Sequence, residues 1–298
     1  MSAPEQSAHP PRQTDSEPRI AVLVLGCLLT TYDRCIKTIR ATWASKSLPN
    51  VDVLYLYGGQ GTNAGQDAVD IETIIGRPRP QLADGEVWAS DDIILTGSED
   101  VQHFQRNCIL RKRLYAFGYL AHERQYDFIY TVCASSYVDL AALQRYVYTL
   151  DPHGIYQGPL NVDGRSGYPF VSGASMLLSR DIAAALADHA EDILPAYPDQ
   201  MPDDVVIGHW VATNYGGRPL TEIRSRIATS QKPTDNQTFV EPDGGGMVDF
   251  VFAPAFRQVP KERAFHYHFH SQRLWDMENF HRRFFTDDAA SDFPHEPR

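Results

Sequence analysis

The chain has 298 residues, 43% of them hydrophobic and 22% charged, which supplies enough apolar material for a full globular core. Its formal charge of −11, from 27 basic and 38 acidic residues, speaks against a phosphate-backbone partner, because duplex binding relies on a basic stripe. Four scattered cysteines (Cys27, Cys35, Cys108 and Cys133) with no C-x-x-C pair exclude a disulfide framework and read as reduced, partly buried thiols, and no stretch reaches the roughly 18 apolar residues of a membrane span.

Residues 1–18 are rich in Pro, Ser, Gln and Glu and cannot bury enough surface to offset their chain entropy, so they read as a disordered leader. The apolar run that follows has no basic region before it and no small-residue cleavage site after it. It therefore predicts a buried first strand over 20–26, not a signal peptide, and with it a cytoplasmic protein. An amphipathic helix is predicted over 34–45, strands over 51–57 and 92–95, and a helix over 101–123 with Phe104, Leu110, Leu114 and Phe117 on one side. A strand over 127–133 and a helix over 139–150 come next, then a short strand over 176–178 and helices over 181–189 and 203–212. There is no internal repeat. Alternation of this kind predicts an α/β fold with a Rossmann-like, mostly parallel central sheet flanked by helices. The Pro- and Gly-rich stretch 232–260 predicts a long excursion of the kind that forms lids. Residues 271–285 have the spacing of a helix that caps the domain.

Ligands of open α/β sheets bind outside the carboxyl ends of the strands. Four segments should meet there: 27–34, 131–137, 168–175 and 202–208. Pattern alone gives a nucleotide-like cleft with a pair of carboxylates near it, and no Walker or G-x-G-x-x-G loop.

The residues at these places resemble a family. Leu25-Gly26-Cys27-Leu28-Leu29-Thr30-Thr31, followed by Thr38-Ile39-Arg40-Ala41-Thr42-Trp43, is similar to the opening of Fringe-like and core-1-type β-1,3-glycosyltransferases. Tyr168-Pro169-Phe170-Val171-Ser172-Gly173, continuing to Leu178-Ser179-Arg180, resembles the family's Tyr-Pro-x-Tyr-x-x-Gly segment, one residue shorter. Pro202-Asp203-Asp204-Val205-Val206-Ile207-Gly208 resembles its Glu/Asp-Asp-Val-x-x-Gly motif, and Ala264-Phe265-His266-Tyr267 its Ser-Phe-His-Tyr. Order and rough spacing match from residue 19 to 267. The resemblance implies one GT-A-like domain over 19–298 and inverting transfer from a UDP-sugar to an acceptor hydroxyl. The acceptor stays open among glycan, metabolite, protein and modified nucleic acid.

One motif departs from the family. Where its members carry Asp-x-Asp at a strand end, this chain has Cys133, Ala134 and Ser135. Mg²⁺ and Mn²⁺ want oxygen ligands, which Cys and Ala side chains do not supply. The resemblance therefore implies a transferase that works without metal or holds Mn or Mg unusually. Its alternative is an inactive relative that binds a sugar, nucleotide or protein.

For the base that activates the acceptor hydroxyl, the resemblance implies Asp204, with Asp203 as neighbour or alternative. Either aspartate could instead cap the helix starting there. Cations for the leaving diphosphate are Arg40 first, then Arg34 and the cluster Arg106, Arg111, Lys112 and Arg113, whose other reading is a solvated helix face. His266, His268 and His270 alternate and would share one face of a strand. The resemblance points to His266 as a contact of the diphosphate; with Cys133, and His268 as a further donor, it could instead form a Zn²⁺ site. Thr30 and Thr31 either touch the nucleotide or cap the next helix. Ser172 and Gly173 either permit close backbone approach near the donor or form a plain turn. Cys133, Ala134 and Ser135 complete the expected donor-binding set, and Trp43 reads as core.

Overall fold

The computed structural model describes residues 17–60, 67–100, 108–164, 166–199, 201–214, 221–222, 227–230, 249–250, 265–269, 277–278 and 280–282. Residues 1–16 of the expected leader, Arg106, His270 and most of the expected 232–260 excursion lie outside them. The chain runs β1 (Ile20–Leu25), α1 (Thr30–Ala41), β2 (Val51–Gln60), α2 (Ile71–Ile75), β3 (Val87–Ser90), β4 (Ile93–Glu99) and α3 (Cys108–Gly118). Then come β5 (Phe128–Cys133), β6 (Ser136–Val138), α4 (Leu140–Val147), β7 (Tyr156–Gly158), β8 (Leu160–Val162), β9 (Pro169–Val171) and β10 (Ser175–Ser179). It continues with α5 (Arg180–Asp188), α6 (Ala190–Ala196), α7 (Asp203–Asn214), β11 (Thr221–Glu222), β12 (Ile227–Ser230), β13 (Asp249–Phe250) and β14 (His266–Phe269).

The main sheet has the strand order β11-β7-β10-β5-β1-β2-β4-β3. β1 sits in its middle and pairs in parallel with β2 and β5, and β2 pairs in parallel with β4. Only β10 and β3 run against the others. An apolar run without alternation suits such a strand, because both of its faces are covered. Ile20, Val22 and Val24 point into a core shared with Ile36 and Ile39 of α1 and Leu143 of α4. Ala21 and Leu23 point the other way, to Leu114 of α3, Ile182 of α5 and Ile193 of α6. The α/β architecture with a mostly parallel, helix-flanked sheet is thus as expected from the alternation of patterns. Among the described residues no helix is long and apolar enough to cross a membrane.

The boundaries differ from expectation where distant contacts set them. α1 starts at Thr30, four residues before the predicted start, because the Thr30 amide and hydroxyl donate to the Asp67 carbonyl at 2.7 and 3.0 Å. It stops at Ala41, where the Thr42 hydroxyl turns back onto the Thr38 carbonyl at 2.7 Å. Trp43 then enters the core, 4% exposed, and its indole N–H donates to the Ser136 carbonyl at 2.9 Å.

A second sheet, β13-β12-β14-β6, extends from the carboxyl end of β5. β6 follows β5 after the two residues Ala134 and Ser135 and pairs antiparallel with β14, placing His266 opposite Val138 and His268 opposite Ser136. Tyr137, Tyr267 and Phe280 pack behind it, with the Tyr137 ring edge-on to Phe280 at 5.0 Å and the Tyr267 ring tilted against it at 4.6 Å between centroids. Phe280 and buried Met277 belong to helical residues within the expected capping segment.

Candidate active site

A cleft of about 710 Å³ opens at the carboxyl ends of β1 and β5, within the roughly 300–1,000 Å³ of small-molecule sites. All four expected segments reach it. Cys27 and Tyr32 come from the first, Cys133 and Ser135 from the second, Phe170, Gly173 and Ala174 from the third, and Pro202 to Val205 from the fourth. α3 adds Lys112 and Arg113, and β14 adds His268.

The two aspartates at the start of α7 have different surroundings. Asp203, 7% exposed, forms an ion pair with Arg113, itself 1% exposed. A second guanidinium nitrogen of Arg113 donates to the Gly173 carbonyl at 2.8 Å, and its Nε is buried with no partner among the described residues. Asp204 accepts the Gly173 amide at 2.8 Å on one oxygen and the Val205 amide at 2.9 Å on the other. Burial, then the neighbouring charge of Asp203, pushes the Asp204 carboxyl up to about 6. Gly173 is thus gripped from both sides, its N–H by Asp204 and its C=O by Arg113. A Cβ at Gly173 would come within 3.3 Å of both side chains, so the close approach allowed for in the sequence is present. Ser172 shapes the turn beside it, its carbonyl accepting from the Ser175 amide at 3.1 Å, and does not itself line the cleft.

Gly208, at the end of the Pro202 motif, lets α7 cross β9. A Cβ there would stand 2.6 Å from Phe170 Cα and 3.0 Å from the Pro169 carbonyl oxygen. Gly208→Ala should therefore push α7 off β9 and cost about 1–3 kcal/mol of stability, measurable by urea denaturation.

The basic cluster on α3 divides. Arg111 is the solvated face, pairing with Asp84 at 3.0 Å on the surface. Lys112 turns inward, donating to Asp100 at 2.5 Å and to the Gly26 carbonyl at 3.1 Å, with both charged side chains no more than 3% exposed. The other oxygen of Asp100 accepts the Leu28 amide at 2.6 Å, which fixes the loop between β1 and α1.

Several of the expected residues lie away from the cleft. Arg40 is not at the cleft: it pairs with Asp92 at 2.7 Å and lies over the Tyr55 ring at 4.6 Å, at the other end of α1. Arg34 and Thr31 are exposed on α1, Thr30 is spent on Asp67, and none of the three lines the cleft. Ala134 is 3% exposed and lies in the core. His266 is fully buried, shares a hydrogen bond of 2.8 Å with the Tyr130 hydroxyl, and is not a cleft residue. Burial, then the charge of His268, holds it well below its usual range and so neutral.

His268 reaches the cleft in its place, because pairing opposite Ser136 sets it beside the turn after β5. Its Nδ1 lies 3.2 Å from Cys133 Sγ, which also meets the Ser135 and Ser136 hydroxyls at 3.2 and 3.3 Å. Burial alone would push the thiol up. The His268 charge and the hydrogen bonds from His268, Ser135 and Ser136 outweigh it and bring Cys133 down to about 6. Burial, the largest single influence, pulls His268 down, and the Cys133 charge and hydrogen bond together outweigh it and raise it above its usual value.

At the Asp-x-Asp position the donors are therefore a thiol and a hydroxyl, with one imidazole nearby. No three His, Cys, Asp or Glu side chains among the described residues are grouped to hold an ion. This set does not fit Mg²⁺ or Mn²⁺, which need several oxygen ligands.

No protein-family model matches the chain, and no curated protein matches it. Among solved structures it is similar to a glycosyltransferase involved in glycosylation of the major capsid of PBCV-1, with TM-score 0.45, 10% identity, and 88% of this chain and 98% of that one covered. An active-site mutant of LgtC has TM-score 0.45 and 12% identity, with 87% and 93% covered. The glycosyltransferase GlyE of Streptococcus pneumoniae TIGR4 has TM-score 0.42 and 12% identity, with 91% and 62% covered.

Proposed function

We propose that the chain is a glycosyltransferase that holds a nucleotide-sugar donor in this cleft and transfers the sugar to an acceptor hydroxyl, with Asp204 as the base. One observation carries the reading: three of the segments that resemble the Fringe-like family, 25–31, 168–180 and 202–208, line a single cleft. Two of them are joined there by the bond from the Gly173 amide to Asp204.

A carboxyl near 6 is ionised at neutral pH and basic enough to take a hydroxyl proton as the bond to the anomeric carbon forms. Two backbone amides hold its oxygens in place. Asp203 is committed to Arg113, which leaves Asp204 as the base. The departing diphosphate develops charge that fixed donors must meet, and Arg113 and Lys112 line the same cleft. Attack by the activated hydroxyl opposite the leaving diphosphate inverts the anomeric carbon. The donor is a UDP-sugar by the family resemblance, and the donor set at Cys133 and Ser135 supports transfer without a hard metal ion.

A second reading has its own observation. Arg113 and Lys112 are each neutralised by a carboxylate, which leaves less charge to meet a diphosphate and suits a relative that binds without turnover. Calorimetric titration with UDP and UDP-sugars, in EDTA and then in Mn²⁺, separates the two when paired with assay of UDP release. Binding and slow UDP release in EDTA are expected. Binding with no release, even with varied acceptors, would favour the second reading, and no nucleotide binding would overturn the transferase reading.

A further inference from the structure

We infer that Cys133 and His268 form a nucleophilic dyad opening into the cleft, at which soft carbon electrophiles attach covalently and exclude the nucleotide. The geometry is that of an activated nucleophile: a thiol within reach of an imidazole, with a third set of groups holding the arrangement. Cys133 Sγ is 3.2 Å from His268 Nδ1, and the hydroxyls of Ser135 and Ser136 stand 3.2 and 3.3 Å from the same sulfur. Strand pairing fixes the partner, since His268 lies directly opposite Ser136. Cys27, Cys35 and Cys108 are buried, whereas Cys133 is only partly so and lines the cleft with His268.

The thiolate sulfur supplies the electron pair of the new bond. With a haloacetamide, the S–C bond forms as the halide leaves with its own pair. With an enone, sulfur adds to the β-carbon, and the His268 imidazolium gives its proton to the α-carbon and becomes neutral. Among the described residues, the groups that face this pair from the neighbouring elements include Tyr32 and Cys35 on α1, Tyr130 on β5 and His266 on β14. None of them carries a positive charge at neutral pH, so His268 is the cation that sustains the thiolate from these elements. Lys112, Arg113, Asp203 and Asp204 line the same cleft and are tied to one another and to Asp100 and Gly173.

Iodoacetamide labelling of the full chain, mapped by peptide mass from pH 5 to 9, tests the dyad. Cys133 should be modified first, with a rate that rises through about pH 6 and is level above it. An isolated thiol rises near its ordinary value of about 8.5. His268→Asn should move the midpoint upward and slow labelling at pH 5.5 by about tenfold, because the larger loss of thiolate outweighs its gain in intrinsic nucleophilicity. If Cys133 reacts no earlier than the other cysteines, or the wild-type midpoint lies near 8.5, the dyad is wrong, whatever the variant's folding. Exclusion of the nucleotide rests on the donor-cleft reading. UDP titration of alkylated protein should show no binding, and retained binding would overturn exclusion while leaving the dyad intact. If the unlabelled protein itself binds no UDP, the donor reading fails and exclusion with it, and the labelling profile alone decides the dyad.

Discussion

Asp204→Asn is expected to lower turnover by about 10²–10⁴-fold, the usual contribution of a general base, while UDP binding changes little. The wild-type profile should show the same group. Because the ionised carboxylate is the active form, kcat/KM, which reports the free enzyme, should fall as pH drops through about 6. The sign for stability is opposite. A carboxyl raised above its ordinary value binds its proton more tightly in the folded chain than in the unfolded one, so ionising it destabilises the fold as pH rises from about 4 to 6. Asparagine removes that charge. It also offers one acceptor where the Gly173 and Val205 amides use two, leaving one buried N–H unmet at a cost of about 1–3 kcal/mol. The two effects oppose each other, so the variant should stay folded, which circular dichroism would check. A turnover that survives Asp204→Asn at full value would remove Asp204 as the base.

The parts of this molecule that sequence reveals are those set by local periodicity. The apolar run of β1 and the helical spacing of α4, with Leu140, Leu143 and Val147 buried on one side, carry their own signal, and the convergence of four loops follows from the rule for open sheets. The three- and four-residue strands β3, β6, β7, β8 and β9 are too short to show a period, and β6 and β7 also pair with strands distant in the chain. Membership of a motif also misleads about position. Arg40 lies ten residues beyond Thr30 on one helix, so it stands about 15 Å away along the axis. The same limit hides Arg113 and Lys112, which look like surface cations beside Arg111 until Asp203 and Asp100 meet them across the fold. His268 and His266 share one strand face, and only the register against Ser136 tells which of them borders the cleft. Position 133 was marked by the missing carboxylates, but nothing local links it to an imidazole 135 residues away.

Asp100→Ala should cost about 3–5 kcal/mol of unfolding free energy at neutral pH, the range for breaking a buried ion pair from one side. Asp100 is fully buried and joins three parts of the fold: the end of β4, Lys112 on α3, and the Leu28 amide in the loop that opens the cleft. Its loss would leave an ammonium with only the Gly26 carbonyl at 3.1 Å among these groups. Burial by itself lowers a lysine, and the Asp100 charge and hydrogen bond now raise Lys112 above its ordinary value. In the wild type the contribution from the Lys112 charge is therefore undiminished at neutral pH and fades only as pH rises through the raised value. In the variant burial acts alone and Lys112 falls below its ordinary value, so the folded chain can shed the proton and the strain of the lone charge. The difference between wild type and Asp100→Ala should then shrink from pH 6 to pH 9 in urea denaturation. A packing defect such as Gly208→Ala should give the same loss at every pH in that range. Equal losses for Asp100→Ala at pH 6 and pH 9 would mean that the carboxylate acts through the Leu28 bond and the space it fills, not through the buried charge of Lys112.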